Sequence, residues 1–173
     1  TGHLISTMRA FQMESSDAIS IVDKLNEVSN NFAVTSGDLG SGLEVASSAL
    51  ATAGNDLDQT IALITGGTEI TQDANSTARG IRTIALRIRG MDKELEELGE
   101  DTDGMIKYTP KLRKELQDMA GVDIMDGTGQ SLRDTYDILG DLAHRWKDLN
   151  DVQRAGLTES LAGKNRANVF NAL

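Results

Sequence analysis

The chain has no cysteine, one proline and an aromatic content of only 3%. Without cysteine there is no disulfide, no thiolate metal ligand and no cysteine nucleophile. β-branched residues fall within helix-like periods and form no alternating runs bounded by turn residues, which argues against a β-rich fold. With so few aromatics, the 39% of hydrophobic residues must build a core from Leu, Ile, Val, Met and Ala, a mixture that suits closely packed helices. Long apolar runs are also missing. The longest, Ile61 to Ile64, is far short of the roughly 20 residues a helix needs to cross a bilayer, so no membrane contact by this segment is expected. Positive charge is scarce as well: the formal net charge of -10 opposes direct nucleic-acid binding over the whole surface, leaving only a local basic patch open.

What is present is helical period. A length of 173 residues suffices for one core, or for two small lobes sharing an interface. The chain lacks an initiator Met and stops at Asn171-Ala172-Leu173 inside a helical pattern, so it reads as a piece of a longer protein. Ile5, Met8 and then Phe11 or Gln12 form a short first stripe. Ser15 or Ser16 is placed as the N-cap of a helix ending near Asn30, with Ala18, Ile19, Val22, Leu25 and Val28 on one face. Ser36-Gly37-Asp38 opens a helix whose Leu39, Leu43, Ala46, Leu50 and Ala53 repeat at steps of a bundle seam. Asp56 is placed in the first turn of the next helix, with Leu57, Ile61 and Ile64 buried and Gly66-Gly67 closing it. A longer helix, about Asp73 to Arg89, aligns Ala74, Ala78, Ile81, Ala85 and Ile88, with Gly90 as its stop.

Residues 91 to 104, rich in Asp and Glu, read as a hinge or linker. Thr109-Pro110 then starts a short helix with Leu112, Leu116 and Met119 inward, ended by Gly121. Between 122 and 129 the chain turns irregularly, with Asp126-Gly127 able to close one tiny hairpin. Ser131 is placed at the start of a helix whose stripe runs through Leu132, Tyr136, Leu139, Leu142, Ala143, Trp146 and Leu149. A last helical region from Asp151 is divided by Gly163 from a segment bearing Val169 and Phe170.

Tests for chemistry return little. No Gly-x-Ser-x-Gly occurs, and Gly163-Lys164 has Thr158 where a phosphate-binding loop needs its first glycine. Gly37 to Gly42 is better read as glycines that ease helix packing than as an anion cradle. Asp137, Asp141, His144 and Asp148 share one helix face at ligand-like spacing, but that face lies opposite the apolar stripe, and the one other histidine is His3. Aligning Gly104 with the glycine of a calcium loop puts Pro110 where the bidentate glutamate belongs. No catalytic, cofactor or metal residue is therefore assigned. The candidate interaction surface is Arg79, Arg82, Arg87 and Arg89, on the polar side of the stripe from Ala74 to Ile88. It would face an acidic partner or nucleic acid, although a solvated charged face is the commoner use of such a pattern.

The order of these pieces resembles the core region of phage tail tape measure proteins. The resemblance rests on Asn30-Asn31-Phe32-Ala33, Ser36-Gly37-Asp38-Leu39, the run from Ala49 to Leu57 and Gly80 to Ile88. A second block then follows: Gly121 to Asp126, Ser131-Leu132-Arg133-Asp134, Tyr136 to Ala143 and Leu161 to Arg166. It covers most of the chain, and one departure is Ala162 before Gly163, where many members carry an aromatic. The resemblance implies a non-enzymatic phage or prophage protein that occupies the tail tube, sets tail length during assembly and leaves during DNA ejection. Its partners would be the tube, the tip and tail assembly chaperones. Its location would be the virion tail, preceded by the host bacterial cytoplasm during assembly.

The expected fold is all-α, an antiparallel bundle of about six to eight helices. The expected division is an N-terminal lobe at 1–90, an acidic hinge at 91–109 and a C-terminal lobe at 110–173. Alanine-rich seams allow closure within one molecule or between copies, so a homo-oligomer is open. A helical adaptor or secretion-system scaffold is the alternative function, and the ordered second block argues against it.

Overall fold

The computed structural model describes residues 2–173, and the side chain of His3 lies outside the described set. Among the described residues ten α-helices make up the architecture: α1 Gly2–Ala10, α2 Ala18–Asn31, α3 Ser36–Thr52, α4 Leu57–Thr71 and α5 Ala74–Ile88, followed by α6 Asp92–Glu97, α7 Thr109–Ala120, α8 Thr135–Trp146, α9 Asp151–Leu161 and α10 Ala167–Ala172. The fold is all-α, with more helices than the expected six to eight, because short α6 and α10 lie where the sequence shows only an acidic stretch and a fragmentary stripe. Among the described residues there is no sheet. A single antiparallel bridge joins Met125 to Leu132, a wider turn than one closed at Asp126-Gly127.

The predicted seam of α3 is buried as expected, with Leu39, Leu43, Ala46, Leu50 and Ala53 all in the core. It packs most extensively on α5, and α1, α2 and α4 lie around the pair. α10 returns to α4 and α5, while α9 also reaches α5. α5 is therefore surrounded, and eleven of its fifteen residues are buried, Arg87 among them. One hydrophobic cluster runs from Ile21 through the α3 to α5 layer to Leu157, Leu161 and Phe170. Close approach sets the small residues: a Cβ on Gly80 would lie 2.6 Å from Val169, and one on Gly42 3.3 Å from Ile64.

Helix starts follow capping chemistry, often one residue from the expected place. Thr35 caps α3 by accepting from the Asp38 N–H, and Asp56 is the N-cap of α4, forming a reciprocal capping box with Gln59. Asn150 and Gln153 repeat that box at α9. α8 begins at Thr135 and not at Ser131, because residues 131–133 are drawn into the bridged turn and Asp134 supplies the cap. Thr109 falls one position inside α7, with Tyr108 at the N-cap.

Several assignments change, and in α8 Tyr136 and Ala143 of the expected stripe are exposed. In α2 the buried residues are Ile21 and Leu25, while Ile19 and Val22 are exposed, because the helix turns its other stripe to α3. Gly66-Gly67 does not close α4, which continues to Thr71 and ends at Gln72 in the left-handed region. Those glycines shape packing: a Cβ on Gly67 would lie 2.5 Å from Thr77 Cγ2, whereas one on Gly66 meets nothing within 4 Å.

Candidate interaction site: a buried arginine junction

The four arginines of α5 do not form one basic surface. Arg79 is exposed, Arg82 and Arg89 are partly buried, and Arg87 is 1% exposed, the largest fully buried side chain in the molecule's described part. Arg87 points into the space between the 99–104 segment and the end of α9. Its Nη2 donates to the carbonyls of Asp101 at 2.6 Å and Asp103 at 3.1 Å, and its Nη1 to those of Glu159 at 2.9 Å and Ser160 at 3.5 Å. Only Nε finds no partner. A planar fork of five donors is the one cationic side chain able to tie two backbone segments in this way. Burial pulls the Arg87 guanidinium below its usual pKa, and the nearby carboxylates, Asp101 first, push back.

Gly163 completes the pocket for the guanidinium. Its φ of +76° lies in the left-handed region that favours glycine, and a Cβ there would come within 2.6 Å of Arg87 Nη2. Ala162 beside it is buried, which leaves little room for an aromatic side chain at this position.

Beside Arg87 sits a second ionic knot. Glu100, 6% exposed, receives a bidentate pair from Arg166, with Nη2 at 2.5 Å and Nε at 3.1 Å, and Arg82 Nη2 lies 3.7 Å away. Two guanidinium groups thus share one carboxylate. Burial lowers the Arg82 pKa, Glu100 opposes that shift, and Arg166 and Arg79 add to it. Arg89 is lowered by burial alone and has no ion-pair partner among the described residues.

The acidic stretch is consequently more than a solvated run of charge. The backbone carbonyls of Asp101 and Asp103 are ligands of Arg87, and Leu95 of α6 is fully buried. Carbonyl acceptors leave no trace in side-chain chemistry, and nothing in the sequence marks Glu100 apart from its acidic neighbours. These partners were illegible for that reason.

A second junction joins two other distant pieces. Asn55 is buried, its Nδ2 donating to Leu50 O at 3.0 Å and its Oδ1 accepting from the Tyr136 N–H at 2.9 Å. Asp134 caps α8 at the Asp137 N–H and also accepts from Gln59 Nε2 at 3.4 Å. The turn before α4 therefore satisfies an orphan donor at the start of α8. Nearby, Arg113 forms a bidentate pair with Asp123 at 2.8 Å for both contacts, holding that carboxylate below its usual pKa.

The metal-like spacing on α8 is spent differently. Asp141 pairs with Arg133 Nη1 at 2.7 Å, and Asp137 offers its backbone carbonyl to the same arginine. Among the described residues no three His, Asp or Glu side chains are grouped to hold an ion. Trp146 stacks edge-on against Phe170 with ring centroids 5.4 Å apart, and Arg154 lies over the Trp146 ring while donating to its carbonyl. These are ties between elements. A guanidinium held by four carbonyls can fix a geometry, and it has no lone pair or free proton acceptor with which to do chemistry.

The two junctions connect the stretches that carry the sequence resemblance: Gly80 to Ile88 meets Leu161 to Arg166 at Arg87, and the Ala49 to Leu57 run meets Asp134 to Tyr136 at Asn55. The profile of a family described as phage-related minor tail protein matches residues 2–163. No solved structure matches the chain.

Proposed function

The chain belongs to the phage-related minor tail protein family, and from that membership we propose that it is a structural, non-enzymatic segment of a tail tape measure protein. On this reading it acts in tail assembly and tail-length determination. It works in the virion tail after folding in the host bacterial cytoplasm, in contact with tube, tip and assembly-chaperone proteins. The observation that carries the proposal is the near-complete family match, supported by the packing of Gly163 against Arg87 and the bond from Tyr136 to Asn55, which join the two blocks of the sequence resemblance. Arg87, Arg113, Arg133 and Arg166 are consumed in holding helices and loops together, the use expected of a scaffold.

The experiment is an in-frame deletion of residues 1–173 from the full protein in the phage or prophage that encodes it, with tails imaged by electron microscopy. Tails that fail to assemble or are shortened are expected. Infectious particles with tails of unchanged length would overturn the proposal and favour an adaptor role elsewhere.

A further inference from the structure

A groove that shares no lining residue with the arginine junction has a chemistry of its own. It runs between α2 and α4, encloses about 510 Å³ and is walled by Val28, Phe32 and Ile61, with Ala62 and Gly66 as its open floor. Phe32 is 50% exposed there. The rim is acidic from both sides, with Glu27 on α2 and Glu69 on α4. At one end the Lys24 ammonium crosses the groove to Asp58 at 2.7 Å. Beyond that pair the depression continues as a second pocket of about 530 Å³, lined by Phe11, Met13 and Leu57. Lys24 and Asp58 border both halves.

We propose that this groove docks an amphipathic helix of a partner protein, with apolar anchors on one face and Lys or Arg along its flanks. An apolar floor between two helices, with small residues that let a third backbone approach, fits a helix laid in a groove. The acidic rim selects its charge. A second copy of this chain would bring the same acidic rim against this one, on a molecule already at net charge -10, so self-association through this face is disfavoured. Lys24 is an internal stand-in for the partner's cation: an incoming basic residue takes over Asp58 and opens the two pockets into one channel. This goes beyond the tail role proposed above and does not rest on it.

The test uses the full 173-residue chain and two synthetic helical peptides of about 18 residues with the same Leu pattern, one flanked by Lys and one by Glu. Fluorescence anisotropy gives the affinities. The Lys peptide is expected to bind at least roughly tenfold tighter than the Glu peptide, with the preference shrinking at high salt. Gly66→Leu, which has open space for its side chain, fills the floor and should abolish binding. Lys24→Ala, which frees Asp58, should tighten binding by up to about fivefold, and Glu27→Lys with Glu69→Lys should weaken it without touching the core. Equal affinity for both peptides, indifference to Gly66→Leu and to the charge reversals, or a concentration-dependent dimer that Gly66→Leu dissolves would each overturn the proposal.

Discussion

At the residue scale the decisive feature is an arginine on the wrong side of its helical wheel. Taking a guanidinium out of water costs several kcal/mol, and only near-complete hydrogen bonding offsets it. Arg87 meets that condition with four carbonyls. Arg87→Met would remove the donors to all four carbonyls at once, and is expected to destabilise the fold by about 3 kcal/mol in urea denaturation. A loss below about 1 kcal/mol would show that the junction does not hold the 99–104 segment. The wheel misplaces Arg87 because it assumes one face in water, whereas α5 is enclosed by helices on several sides. Leu39, Leu50 and Ile81, by contrast, were legible from their period because each faces a neighbour the seam itself predicts.

The Arg113–Asp123 pair gives a pH signature. Asp123 has its folded pKa depressed below the ordinary carboxylate value of 3.8, chiefly by the hydrogen bonds from Arg113. A depressed carboxylate stabilises the fold above its unfolded pKa, and that contribution is lost as pH falls through the folded value. Asp123→Asn should therefore lower stability at neutral pH, and the gap between variant and parent should close as the pH drops below 3.8. A gap that persists unchanged into that acid range would assign the effect to packing.

At the scale of elements, α4 tests how its adjacent glycines are used. Gly66 is helical and faces open space, so Gly66→Ala should stabilise by about 0.5–1 kcal/mol through backbone entropy and helix propensity. Gly67→Ala should do the opposite, because its Cβ would meet Thr77 at 2.5 Å. Paired thermal melts read both signs, and two changes of the same sign would contradict the packing described. From the sequence the Gly-Gly pair reads as a helix stop, since propensity cannot see that α5 lies against one glycine and not the other. The start of α8 was obscured in a similar way: Ser131 is an acceptable cap, but the Met125–Leu132 bridge claims that stretch and passes the cap to Asp134. Starts governed by local chemistry alone, as at Ser36 and Asp56, were legible to within a residue.

At the scale of the whole molecule, one hydrophobic cluster extends from Ile21 to Phe170, and Arg87, Asn55 and Glu100 cross-link segments far apart in sequence. The expected parts at 1–90, 91–109 and 110–173 are thus stitched by buried polar contacts, which should make unfolding a single cooperative transition. Two resolved transitions in calorimetry would establish the lobes as independent units. Compactness also limits what the segment can add to a length. A folded chain of this size has a radius of gyration of about 16 Å and a breadth of about 40 Å, against roughly 260 Å for the same residues as one continuous helix.

That contrast makes tail length the most direct readout of a compact tail segment. With residues 1–173 duplicated in frame in the full protein, electron microscopy of assembled tails should show lengthening of no more than about 40 Å. Lengthening near 260 Å would mean that the segment opens into a rod inside the tail, contradicting a fold held closed by its buried arginine.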